Sequence, residues 1–228
     1  MTGLAVDITA KRFASAHVLG EFRFTLEPGE RVAVLGDSGI GKSTLLAMIV
    51  GYDSDFEGRI TRPAGRAAMV FQTPRLLPWR TLAENIAVTP GAGTRARARE
   101  LLAEVGLGAA AEQYPETVSL GMQRRAALVR ALAISPSLIL LDEPLVSLDP
   151  ETLTSVRDLM VQILDRTLAT CVMATHDRRE ALAVADRLIE LGGRPARITS
   201  DRPTGLARAE RGDPRAIDAA LARLFPSP

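Results

Sequence analysis

Gly36-Asp37-Ser38-Gly39-Ile40-Gly41-Lys42-Ser43-Thr44 fits the pattern G-x-x-x-x-G-K-[ST], a loop that wraps nucleotide phosphates. Gly36, Gly39 and Gly41 let the backbone turn tightly and aim several N–H groups into one concavity. A helix starting near Lys42 adds the positive end of its dipole at the same point. Lys42 supplies a point charge for the β- and γ-phosphates, and the Ser43 hydroxyl suits Mg²⁺. Of 28 basic residues only Lys11 and Lys42 are lysines. An arginine-biased chain thus keeps a compact ammonium where a planar fork would not fit.

The flanks supply the setting this loop requires. Residues 31–35 read as a short apolar strand after the turn Glu27-Pro28-Gly29-Glu30, and residues 43–50 as an apolar helix ending at Gly51. Further candidate strands are 4–9, 21–26, 58–62 and 67–71. A helical pattern follows over 95–105, with Arg95, Arg97 and Arg99 on a solvated face, and again over Leu120–Ala133. Beyond Pro136, strand 138–141, helix 150–164, strand 171–174, helix 178–185 and strand 187–191 alternate, which indicates α/β with a mostly parallel sheet. From Gly192 the chain reads as an Arg- and Pro-rich tail whose last helix, 214–225, puts Ile217, Leu221 and Leu224 on one docking stripe.

At 228 residues the chain is expected to be one domain with an inserted subdomain. Residues 1–72 form the β-rich and phosphate-loop part, about 73–133 the helical part, 134–200 the remaining core and 201–228 the tail. A net charge of +1 gives no electrostatic case for nucleic acid. The single cysteine, Cys171, lies in an apolar run, as a small core residue does. The start lacks the apolar stretch of a signal peptide, and no uninterrupted apolar run reaches ~18 residues, so a membrane role is expected to pass through a partner.

Leu138-Ile139-Leu140-Leu141-Asp142-Glu143-Pro144 is an apolar strand ending in two carboxylates. A fully buried strand delivers them to the sheet's C-terminal edge, beside the phosphate loop. There Asp142 suits the Mg²⁺ shell through water, and Glu143 suits a base that polarises the attacking water.

With these motifs in place, the chain resembles the nucleotide-binding subunit of ATP-binding cassette (ABC) transporters over essentially its whole length. The resemblance implies an α/β fold: a P-loop NTPase core with an N-terminal antiparallel β subdomain and an inserted α-helical subdomain, binding ATP and Mg²⁺. Gln72, in Val70-Phe71-Gln72-Thr73-Pro74, matches the Q-loop glutamine, a contact to Mg²⁺ and γ-phosphate. Ser147-Leu148-Asp149 matches the D-loop, and His176, in Ala174-Thr175-His176-Asp177, matches the switch histidine that senses γ-phosphate. Phe13 stands 23 residues before Gly36, where the family places an aromatic that stacks on adenine.

The family's signature L-S-G-G-M-x-Q-R aligns with Val118-Ser119-Leu120-Gly121-Met122-Gln123-Arg124-Arg125. Ser119 and Gly121 match, but Leu120 replaces the first glycine and Arg124 the usual glutamine. In the family this segment caps the γ-phosphate held by the opposite subunit of a head-to-tail dimer, so a second ATPase subunit is implied. A leucine side chain where backbone approaches phosphate would obstruct closure unless it points aside. Arg75-Leu76-Leu77-Pro78-Trp79, with Glu84-Asn85, resembles a segment of the nitrate/sulfonate/taurine importer group. The apolar patch at Leu76, Leu77 and Trp79 reads as the groove for a transmembrane permease. The implied setting is peripheral, on the cytoplasmic face of the inner membrane, with a periplasmic or extracellular solute-binding protein as an indirect partner.

Overall fold

Period-two burial and continuous apolar runs divide the strands into two kinds. The computed structural model describes residues 3–226 apart from 15, 92 and 147. Its elements in order are β1 (Leu4–Phe13), β2 (Ala16–Leu19), β3 (Phe22–Leu26), β4 (Arg31–Leu35), α1 (Lys42–Val50), β5 (Glu57–Thr61), β6 (Ala67–Val70), α2 (Leu82–Ala87), α3 (Arg95–Glu104), α4 (Leu120–Leu132), β7 (Leu138–Asp142), α5 (Pro150–Arg166), β8 (Thr170–Thr175), α6 (Arg178–Val184), β9 (Arg187–Gly192), β10 (Arg197–Pro203) and α7 (Pro214–Leu224). The chain folds as two compact units, one of residues 1–64, 140–143 and 169–228, the other of 65–139 and 144–168.

In the first unit, β1 pairs antiparallel with β2, β3 and β5. β3 alternates Phe22, Phe24 and Leu26 inward with Arg23 and Thr25 outward, as a strand solvated on one face must. A second sheet runs in the order β10-β9-β4-β8-β7. β4 is parallel to both β8 and β9, and β4 and β8 are buried at every position. Cys171 lies in β8 with no exposure, and burial pushes its thiol up to about 12, so it is an inert core residue.

β1 runs four residues beyond the expected 4–9. There Ala10 pairs with β5 and Lys11, Arg12 and Phe13 with β2, and Lys11, only 1% exposed, places its ammonium on Asp53 Oδ1 at 2.9 Å and the Asp55 carbonyl at 2.6 Å. Burial pulls the Lys11 ammonium down, but Asp53 and Asp55 outweigh it and hold it above the ordinary lysine value. The expected tail after Gly192 instead contains β10, antiparallel to β9. Its polar residues form the solvated face of an edge strand, and they hid the alternation. The stripe on α7 is partly confirmed: Ile217 and Ala220 are buried, and the helix packs on α6.

The second unit carries β6 and the first residues of β7, where the Ser137 and Leu138 N–H groups donate to the Arg66 carbonyl at 2.9 and 3.4 Å. Its core joins α2, α3 and α4 through Leu82, Ile86, Ala98, Leu102, Ala126 and Val129. α2 starts with a capping box, Thr81 accepting the Glu84 N–H and Glu84 accepting the Thr81 N–H.

One carboxylate ties the C-terminal segment to the main sheet. Asp186 accepts the Arg31 N–H at 2.9 Å, Arg208 at 2.9 Å and Arg211 at 2.7 Å. Burial pushes this carboxyl up, but the bonds from Arg208 and Arg211 outweigh that and hold it at about 2, below its ordinary 3.8. Its contribution is therefore complete above that ordinary value and is lost as pH falls through the folded one. Asp186→Asn should destabilise the chain by roughly 1–2 kcal/mol at pH 7. The deficit should vanish as pH falls toward 2, as read from denaturant midpoints. An equal deficit at both pH values would contradict the linkage.

Candidate functional site

Three buried strands of the first unit end at one edge. Leu35, the last residue of β4, pairs with Thr175, the last of β8. The Glu143 N–H, just past β7, donates to the Ala174 carbonyl at 2.9 Å. The loop 36–41, the pair Asp142-Glu143 and His176 therefore leave the sheet side by side. Gly39 and Gly41 adopt φ of 78° and 112°, which disfavours any side chain. A Cβ at Gly41 would also stand 2.6 Å from Leu19 Cδ2. Gly36 needs no left-handed backbone; there a Cβ would lie 3.0 Å from Ile40 Cγ2 and 3.3 Å from the Leu191 carbonyl oxygen, so a side chain would crowd its neighbours. Among the described residues no side chain caps α1, which leaves its first N–H groups for an acceptor from outside.

Lys42 is 4% exposed and donates to the Gly36 and Asp37 carbonyls at 2.7 and 3.1 Å. Its Nζ lies 3.3 Å from Glu143 Oε1, while Glu143 Oε2 lies 3.5 Å from His176 Nδ1. Glu143 sits at φ 43°, a strained backbone for a non-glycine residue and a frequent mark of a working site. Ser43 Oγ donates to Asp142 Oδ1 at 2.9 Å, and Asp142 is 7% exposed. A hydroxyl and a buried carboxylate at bonding distance are hard oxygen donors, and together they fit Mg²⁺, which takes one or two protein oxygens and keeps waters and phosphates for the rest. The strand ends thus bring together a cation, a hydroxyl–carboxylate pair, a second carboxylate and an imidazole.

Asp37, Ser38, Ile40 and Thr44 lie in the same loop and first helical turn. Phe13 ends β1 with 48% exposure, and Lys11 Nζ sits 4.3 Å from its ring centroid. Sequence reading missed Lys11 and also Glu180, a partly buried carboxylate on α6 that accepts the Thr175 hydroxyl at 2.9 Å.

The other expected residues lie in the second unit. Gln72 is exposed just after β6. Ser119 caps α4, its hydroxyl accepting the Met122 N–H at 3.3 Å. Leu120 is 43% exposed at the first position of α4. Gly121 is buried; a Cβ there would stand 2.4 Å from Thr152 Cγ2, so it serves the packing of α4 on α5. Arg124 is buried and donates to the Pro144 carbonyl at 3.1 Å. Asp149 caps α5 by accepting the Thr152 N–H at 3.0 Å, and that bond first of all holds its carboxyl below the ordinary range. Ser147 lies outside the described residues. Trp79 is 70% exposed, with Leu76 and Leu77 half-buried. Buried Asn85 fastens their loop, accepting the Leu77 N–H at 2.7 Å and donating to the Leu77 and Arg80 carbonyls at 3.1 and 3.0 Å. Thr81-x-x-Glu84 signals the helix that carries Asn85, which the sequence reading passed over.

The family model for ABC transporters matches residues 19–146. The chain is 41% identical to an aliphatic sulfonates import ATP-binding protein of Pseudomonas savastanoi pv. phaseolicola, over 92% of this chain and 89% of that one. It is 38% identical to a protein of the same description from Burkholderia cenocepacia, over 97% and 86%. Among solved structures, the dimeric post-hydrolysis state of the ATP-binding cassette MJ0796 bound to ADP and Pi is similar, with a TM-score of 0.76 and 27% identity over 89% of this chain and 98% of that one.

Lys42→Ala should weaken Mg-ATP binding by roughly 10- to 100-fold, the loss of one charge-assisted contact. Its circular dichroism should match the native chain. Unchanged nucleotide affinity by calorimetry would contradict the assignment of the loop.

Proposed function

The chain belongs to the ABC transporter family as its ATP-binding, ATP-hydrolysing subunit, and on that premise we propose that it powers the import of an aliphatic sulfonate or a kindred small anion through a separate membrane permease. One observation carries the reading: Lys42, the Ser43–Asp142 pair, Glu143 and His176 converge where buried strands of one unit end. The described relatives supply the solute class.

In this proposal the open N–H groups of the loop and of α1 receive the phosphates, and Lys42 exchanges its carbonyl contacts for β- and γ-phosphate oxygens. Ser43 and Asp142 would hold Mg²⁺, which neutralises phosphate charge when bound. Glu143 Oε1 is drawn toward Lys42, so Oε2, beside His176, is placed to orient a water and take its proton. His176 Nδ1 stands beside that oxygen, which leaves Nε2 to meet the γ-phosphate as it departs. Phe13 offers an exposed ring to the adenine; the contact to γ-phosphate and metal assigned to Gln72 rests on the family resemblance alone.

Two copies, or this chain and a second ATPase subunit, join, as the dimeric relative supports, and do so head to tail by resemblance to the family. Ser119, Gly121 and Asp149 then act on the opposite subunit's nucleotide. Leu120, already exposed, stands at that contact in place of glycine. The patch of Leu76, Leu77 and Trp79 docks on the permease, and a solute-binding protein outside the membrane delivers the anion. Among the described residues no helix is long and apolar enough to cross a membrane, which suits a peripheral place on the cytoplasmic face.

Glu143→Gln should bind ATP with native affinity, turn it over roughly 100-fold more slowly and accumulate as a nucleotide-bound dimer. Reconstituted with the permease and solute-binding protein, the native chain should drive ATP-dependent uptake of an aliphatic sulfonate, and the variant should not. Native turnover in Glu143→Gln would remove Glu143 as the base; hydrolysis without sulfonate uptake would overturn the solute class.

A further inference from the structure

Behind the proposed chemistry lies a carboxylate to which none of those roles falls. Glu180 sits in the first turn of α6, partly withdrawn from solvent. Its Oε2 accepts the Thr175 hydroxyl at 2.9 Å, and Thr175 is only 1% exposed. The same Thr175 Oγ1 accepts the Asp177 N–H at 3.0 Å. Asp177 Oδ1 in turn accepts the Glu180 N–H at 3.2 Å. These bonds close a ring that flanks His176 on both sides: Thr175 before it, Asp177 after it, and Glu180 joining the two from the first turn of α6.

A threonine hydroxyl has one proton to give. With a lone pair committed to the Asp177 N–H, that proton needs an acceptor, and Glu180 is the group in place. Burial pushes the Glu180 carboxyl up; the Thr175 bond and His176 pull it down, and Asp177 and Glu143 push it up again. Capping of α6 does not need it, because Asp177 already accepts the Arg179 and Glu180 N–H groups. His176 does need it. Its side chain is half exposed, so packing does not lock the imidazole; the peptide groups of 175–177 set its approach to Glu143 Oε2.

We propose that Glu180 is a positioning residue for His176, fixing the 175–177 turn so that the imidazole meets Glu143. The inference rests on the hydrolytic reading, in which His176 and Glu143 act together.

Steady-state ATP turnover of the full chain, measured beside His176→Ala, tests it. Glu180→Ala should lower kcat roughly tenfold through a misplaced imidazole, with KM for ATP changed less than about twofold. Glu180→Gln, whose amide oxygen still accepts from Thr175, should recover most of that loss. Thr175→Val, which removes the donor, should reproduce Glu180→Ala and carries the same test if the alanine variant fails to fold. In a His176→Ala background, Glu180→Ala should change nothing further. Native kcat in Glu180→Ala, a glutamine as damaging as alanine, or an equal added loss without the histidine would each overturn the proposal. Native turnover in His176→Ala would instead sink the hydrolytic role of the histidine, and with it this inference. Loss in His176→Ala beside native turnover in Glu180→Ala would sink only the inference.

Discussion

Two buried charges, Lys42 and Asp142, stand where the strands end, and the structure tolerates them because each is partnered. Lys42 holds two loop carbonyls and faces Glu143; Asp142 takes the Ser43 hydroxyl. A buried charge stripped of its partner destabilises by several kcal/mol, so these groups must stay in register. The register is held by β4 and β8, buried along their whole length and paired in parallel from Arg31–Cys171 to Leu35–Thr175. The glycine loop follows from the same demand. A Cβ at Gly41 would run into Leu19 and push the loop off the lysine that threads it.

Much of this was legible in the chain. Lys42, Ser43, Asp142 and Glu143 were placed by the phosphate-loop pattern and by an apolar strand ending in two carboxylates, because a continuous apolar run has one place to go in a parallel sheet. His176 followed only from resemblance, since one histidine after a strand carries little signal. What stayed hidden was short or masked. β2 has four residues, too few for a periodic pattern, and β10 shows arginine and proline on an edge. Lys11 and Asn85 are buried and Glu180 partly so, each held by partners distant in sequence or supplied by nearby turns, which composition does not announce. Within one chain Ser119 and Asp149 cap helices and Gly121 admits close packing against Thr152; their role toward a second subunit came from resemblance, not from any local pattern.

The departures from the family's signature sit in contrasting places. Arg124 is buried and bonded to the Pro144 carbonyl, so it has become part of the helical unit's own fabric. Leu120 is exposed at the head of α4 and enters no core. A change absorbed into packing alters stability first, whereas a change on an exposed helix start alters what can approach it.

The central claim is that the cluster at the strand ends directs water onto the terminal phosphate of ATP. Hydrolysis of Mg-ATP in ¹⁸O-labelled water tests it most directly, with the isotope content of the released phosphate read by mass spectrometry. The account predicts inorganic phosphate carrying one solvent oxygen and ADP carrying none. Label in the ADP, or bound ATP recovered intact after prolonged incubation with Mg²⁺, would contradict it.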